Sequence, residues 1–352
     1  MKSVLFFGYI LAMMNLLNKS ITTHKCCGHN IIETINLNLS LGEAPHWDKR
    51  CQSWYFTDFY AESVTLYRLE YATLKLYSAK IPGVHNVSYM LPTEDDEHLF
   101  HVGHDLEMIL VKWDGFSPIA KKIDVLFRVQ QSPKYAMNRL HVGKADPRGR
   151  LFTVTYNTKL CGDVALSSVY RDSCFNGLTS IFTHQRSPAG LTWNPKTNRF
   201  YYFDLCYPDI YECKWNSRTG DIRDCRVIFV LEMDNPITYV LSGLTIDRNG
   251  YIYFCIFNKS VVLKVDPRNG EIVEEFKFEV PTVISLSFGG SNLDTMLVTT
   301  SNTRINLENG TIIQSDLPKN AGSLFLIKCM KARGYPGQNV RLCPKARKKL
   351  KL

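Results

Sequence analysis

The chain has 352 residues, 45% of them hydrophobic and 21% charged, and a formal net charge of +9. That balance excludes a disordered or low-complexity chain and supplies ample apolar material for a large core. Much of the positive excess lies in the run 344–352 (Pro-Lys-Ala-Arg-Lys-Lys-Leu-Lys-Leu), which has no interleaved aromatic residue and gives no case for a nucleic-acid partner.

In chain order, Lys2 is followed by an apolar stretch from Val4 to Leu17. It is shorter than the about 20 residues a membrane-spanning helix needs, and it fits the core of a secretory signal peptide. Residues 1–22 are therefore expected to be a cleaved signal, with a cut between Ser20 and Thr23, no transmembrane segment afterwards and an extracellular destination. The next phrase, Ser40-Leu41-Gly42-Glu43-Ala44-Pro45-His46-Trp47-Asp48, sets one carboxylate, Glu43, between turn residues at the start of a strand-rich region. From there short β-forming runs recur in pairs: 54–59 with 63–69, 99–104 with 108–113, 151–156 with 168–171, 200–204 with 210–215, 251–254 with 261–266, and 295–300 with 323–327. Turn signals punctuate them, among them Asp146-Pro147-Arg148-Gly149 and Asp266-Pro267-Arg268-Asn269-Gly270.

Six repeats at a spacing of roughly 45–50 residues are the signature of a radial array. A four-stranded sheet buries its faces only against neighbours, and six of them close into a ring around a channel. The expected fold is all-β, a six-bladed β-propeller over residues 23–335, with residues 336–352 as a basic C-terminal tail. The eleven cysteines contain no Cys-x-x-Cys pair, so zinc-ribbon and thioredoxin readings fail on spacing. In an oxidising compartment most form disulfides. Local pairs Cys206–Cys213, Cys161–Cys174 and Cys329–Cys343 are compatible with the spacing, which fixes no connectivity. Cys255, in an apolar run, is expected to be buried and free. Asn38, Asn86, Asn258 and Asn309 begin glycosylation triplets.

A family resemblance rests on several phrases that occur in order. They are Leu41-Gly42-Glu43-Ala44-Pro45-His46-Trp47, Arg139 with Gly143-Lys144-Ala145-Asp146-Pro147-Arg148-Gly149-Arg150, Gly190-Leu191-Thr192-Trp193, Gly243-Leu244-Thr245-Ile246-Asp247, and Ser287-Phe288-Gly289-Gly290. On these the chain resembles the regucalcin/gluconolactonase family, which includes insect luciferin-regenerating proteins. The resemblance implies a six-bladed propeller and a metal-dependent lactonase site. In that site one divalent cation (calcium, zinc, manganese or magnesium) is held at the top of the channel by a Glu, an Asn and an Asp. Hard cations prefer such oxygen donors, and a bound cation polarises a lactone carbonyl and acidifies its water.

Carried over position by position, the Glu matches Glu43 and a substrate-side Arg matches Arg139. The ligand Asn falls on Ala189 and the ligand Asp on Ser242. A supporting Asn falls on His141, its following Asp on Val142, and a substrate-side Glu near Lys159. A slip of one residue would bring in Asn138 or Asp247, although Asp247 aligns with a family turn residue. Glu43 with His46 and His141 has the residue types of a zinc site, and a Glu43–Arg139 salt bridge is a second way to fill the channel.

The expected function is a secreted, glycosylated, disulfide-bonded binding protein without lactonase chemistry. No cofactor and no catalytic residue are assigned; Arg139 and His141 are the candidate substrate-binding residues and Glu43 the one retained metal ligand. The alternatives are a metal-dependent lactone hydrolase of the gluconolactonase type and a regucalcin-like calcium-binding protein. The partner is a small-molecule or protein ligand whose identity the sequence does not give.

Overall fold

Alternating aromatic and β-branched residues make strands that are buried on both faces, such as Ser53–Asp58 (Ser-Trp-Tyr-Phe-Thr-Asp), every residue of which is buried. The computed structural model describes residues 30–159, 165–173, 177–232, 240–305, 312–313, 317–344 and 347–348. The signal segment, Cys26, Cys27, Cys161, Cys174 and the Asn309 triplet lie outside them.

Six four-stranded antiparallel sheets form the blades of a propeller. The first blade runs outward through Gly42–Asp48, Ser53–Asp58, Leu66–Glu70 and Leu76–Ala79. The innermost strands of the next five are Val87–Pro92, Asn138–Ala145, Pro188–Asn194, Val240–Ile246 and Val283–Gly289. Each inner strand packs on the next, and Val283–Gly289 packs on Gly42–Asp48 to close the ring. The sixth blade takes its outermost strand from the other end of the chain, where Ile31–Ile35 pairs antiparallel with Leu324–Lys328. Ring closure is thus a strand exchange between the ends of the fold, which leaves no blade short of an edge partner.

Between the first and sixth blades, Trp47, Trp54 and Tyr71 pack ring against ring at centroid distances of 4.5–5.8 Å. Gly289 faces them, and a Cβ there would lie 2.3 Å from Trp54, so only glycine lets the sheets approach this closely. The turns are tied by buried carboxylates. Asp58 accepts from the Ser40 and Leu41 amides at 2.9 Å each, and Asp204 accepts from Arg186, Ser187 and Cys206 at 3.0 Å. At the opposite end Asp146 and Asp247 accept from the amides of their own turns.

Residues 331–342 run as a strap across that lower end. Gly334 donates to the Leu293 carbonyl, Val340 to Pro92 and Arg341 to Gly149, while Val340 and Leu342 are fully buried. The first part of the expected basic tail is therefore packed structure.

Cys213 is bridged to Cys225 on the adjacent strand Ile222–Val230, not to Cys206. In the register Glu212 opposes Arg226 and Lys214 opposes Arg223, so a bulge brings the two cysteines face to face. Cys206, Cys329 and Cys343 are also disulfide-bonded. Among the described residues Cys51 and Cys255 are free, and Cys255 is buried. No helix among the described residues is long and apolar enough to cross a membrane.

Candidate functional site

All six inner strands break register with their neighbours at the same level of the channel. The shifts fall between Glu43 and His46, Val87 and Tyr89, Leu140 and Gly143, Ala189 and Leu191, Ser242 and Leu244, and Val283 and Ser285. A bulge re-aims the side chains beside it. Here the backbone turns through positive φ at Ala44 (49°), Gly190 (53°) and Gly243 (53°), immediately after Glu43, Ala189 and Ser242. Local strand geometry therefore reproduces, at three blades, the positions that the family resemblance assigns to metal ligands.

Glu43, His141 and Ser242 come together at the wall of one chamber of about 80 Å3, whose remaining surface includes Leu41, Phe59, Tyr156, Leu205, Phe257 and Ile284. Glu43 is 8% exposed. Its Oε1 lies 3.8 Å from His141 Nε2, and its Oε2 accepts from the Ala44 amide at 3.2 Å. His141 leans on the Tyr156 ring at 5.0 Å, and its Nδ1 has no hydrogen-bond partner. Burial pushes the Tyr156 and Tyr60 phenols up, and the Glu43 carboxylate adds to both. Cys255, opposite Ser242 in the register, has its thiol pushed well up by burial and then by Glu43. Each phenol and the thiol is thereby held as a neutral donor around one carboxylate.

A divalent ion does not fit this donor set. Ala189 offers a methyl group inside the core. The Ser242 hydroxyl is committed to the Ile284 carbonyl at 2.5 Å. That leaves one carboxylate and one imidazole, against the six to eight oxygens calcium takes or the three to four ligands of zinc. Among the described residues no three His, Cys, Asp or Glu side chains converge.

Three of the sequence expectations place residues elsewhere. Arg139 does not meet Glu43; it pairs with Asp105 at 3.2 Å and donates to the Ala136 and Asn138 carbonyls. Two extra residues at the His141–Val142 bulge turn His141 into the channel and leave Arg139 on its rim. His46 lies at the lower end, hydrogen-bonded to the Asn339 amide at 3.0 Å, because the Ala44–Pro45 bulge carries it past the level of Glu43. The zinc trio is therefore not assembled. Asn138 is fully buried and bonded to Gln130, Leu166 and Asn157, Asp247 is a turn residue, and neither reaches the chamber. Lys159 is exposed, with its amide on Asn157. The residues that sequence reasoning missed, Tyr60, Tyr156 and Phe59, close the two strands that flank Glu43 and His141; a strand-end aromatic beside a bulge is the signal that marks them.

The model of the SMP-30/Gluconolactonase/LRE-like region matches residues 41–302. A putative sugar lactone lactonase, YvrE, of Bacillus subtilis is 25% identical over 263 residues, covering 74% of this chain and 83% of that protein. Human regucalcin is 25% identical over 303 residues, covering 84% of this chain and 93% of its own length. Among solved structures, a luciferin-regenerating enzyme superposes with a TM-score of 0.78 at 26% identity, over 89% of this chain and all of that one. A calcium-binding regucalcin from Agrobacterium tumefaciens gives 0.68 at 16% identity, over 87% of this chain and 95% of that one, and shares the fold.

Proposed function

This chain belongs to the SMP-30/gluconolactonase/LRE-like family, and from that premise we propose that it is a non-catalytic binding propeller. Its channel mouth takes a small, largely apolar molecule with one hydrogen-bonding group, anchored on Glu43 and His141 without a divalent ion. One observation carries this reading: of the three positions where the family resemblance calls for oxygen ligands, only Glu43 supplies a free one. The others hold a buried methyl at Ala189 and a committed hydroxyl at Ser242. The vacated volume is walled by aliphatic and aromatic side chains, the lining typical of a site that buries an organic ligand and orients it with a few polar groups. The Cys213–Cys225 bridge and the bonded Cys206, Cys329 and Cys343 support an oxidising, extracellular location.

Phenol is a fitting probe, because its ring suits the walls and its hydroxyl suits the carboxylate. By calorimetric titration in excess EDTA, the intact chain is expected to bind phenol saturably. Glu43→Leu is expected to weaken that binding about tenfold, since it removes a charged hydrogen-bond acceptor. Phenol binding that needs added calcium, or that is unchanged in the Glu43→Leu variant, would contradict the proposal.

A further inference from the structure

A second chamber lies at the lower end of the channel. Its volume is about 240 Å3, against the roughly 10–15 Å3 that one water requires. Inner strands of all six blades reach it, through Trp47, Leu91, Lys144, Trp193, Ile246 and Phe288. Its floor is the strap segment Tyr335-Pro336-Gly337-Gln338. That segment spans the gap between the anchors at 333–334 and 340–342, where the strap hydrogen-bonds to the blades.

The chamber contains a cation without a counter-charge. Lys144 Nζ donates to the Leu244 carbonyl at 2.5 Å and makes no ion pair among the described residues. Burial alone pushes its pKa down to about 8, so it is still mostly an ammonium at neutral pH. Among the described residues no Asp or Glu lines the wall. The carboxylates nearby are already engaged, Asp48 with Arg50 and Asp146 with Arg150 at 2.6 Å each, and Asp247 with its turn amides and the Tyr253 hydroxyl. His46, also on the wall, has its pKa lowered by burial, which keeps it neutral at pH 7. An ammonium buried without a partner is costly.

A second feature points the same way. Three buried polar groups of the lining residues have no hydrogen-bond partner: the indole N–H of Trp193, which is 5% exposed, the Ser287 hydroxyl and the Tyr335 hydroxyl. Each can donate. Water in the chamber would satisfy donors but would not neutralise Lys144.

We propose that this lower chamber is a binding site for a small organic monocarboxylate, its carboxylate on Lys144 and its apolar part against Trp47, Leu91 and Phe288. The site is at the opposite end of the channel from Glu43 and does not depend on what the channel mouth binds. Anions held there add stability by mass action, since the unfolded chain has no such site.

The test is the melting temperature of the full chain with sodium propionate or sodium benzoate, compared with sodium chloride at equal ionic strength. A saturable rise of about 2 °C or more is expected with at least one carboxylate. It should be absent with propionamide, the neutral analogue, and lost in Lys144→Met. No saturable rise with either carboxylate, an equal rise with propionamide, or a full rise in Lys144→Met would each overturn the site. If Lys144→Met does not fold, Trp193→Phe decides, because it keeps the ring packing and removes one donor. A carboxylate affinity about fivefold weaker supports the site, and an unchanged one overturns it.

Discussion

Calcium affinity is expected to rise by at least about 100-fold when Ala189 is replaced with Asn and Ser242 with Asp in the same chain. The backbone for the site is already present. The bulges at Glu43, Ala189 and Ser242 lie at one level of the channel, and the positive φ that follows each is retained. What the chain lacks is donors. The double substitution supplies two side-chain oxygen groups beside Glu43 and displaces the hydroxyl that now bonds to Ile284. Ala189 is tightly packed, so some stability is lost; a melting curve establishes that the variant is folded before calorimetric titration with calcium. Adding Glu43→Gln to the double variant should return it to the wild-type baseline. A folded double variant with no gain would mean that the channel geometry, and not the missing donors, separates this chain from its metal-binding relatives.

Asp172→Asn is expected to stabilise the protein by about 2–3 kcal/mol at pH 7. Asp172 is 4% exposed, its Oδ1 has no hydrogen-bond partner, and among the described residues no cation pairs with it. Burial pushes its pKa from 3.8 up to about 6. A raised carboxylate pKa means that the unfolded chain accommodates the charge better than the fold does. Each tenfold difference in proton affinity between the two states is worth about 1.36 kcal/mol, and the cost is fully present above pH 6. It shrinks as pH falls through 6 and vanishes below about 4, where both states are protonated. The gap between variant and wild type should therefore close over that window. The comparison must be made between variants, because His101 opposes it. Burial pushes the His101 pKa down to about 4, so the fold loses stability as pH falls from 6.5 to 4. Urea unfolding at pH 7, 5.5 and 4 checks both the sign and the window. A variant less stable than wild type at pH 7, or a gap that does not change with pH, would contradict the assignment.

The blades were legible because their strands carry dense local signals. Runs such as Phe200-Tyr201-Tyr202-Phe203 and Tyr251-Ile252-Tyr253-Phe254 form the second strands of blades four and five. The ring closure was not legible, since Ile31–Ile35 is five residues with no signal of its partner nearly 300 residues away. The level of Glu43, Ala189 and Ser242 followed from the family phrases, whose glycines sit where the inner strands bulge. The neighbours of those residues did not follow. A two-residue bulge shifts every later side chain, and that is why His46 belongs to the lower chamber and Arg139 to the rim. Disulfide partners depend on the same offsets: Cys213 meets Cys225 through a register slip invisible in spacing. The strap was hidden by composition. Its Tyr335–Gln338 stretch reads as a loop, and its buried Val340 and Leu342 stand alone in a polar sequence.

Elemental analysis of the purified full-length protein, paired with a gluconolactone-opening assay with and without EDTA, addresses the channel mouth most directly. The account predicts less than stoichiometric calcium, zinc, manganese and magnesium, and no EDTA-sensitive turnover. One equivalent of any of these ions, together with turnover that EDTA abolishes, would contradict it.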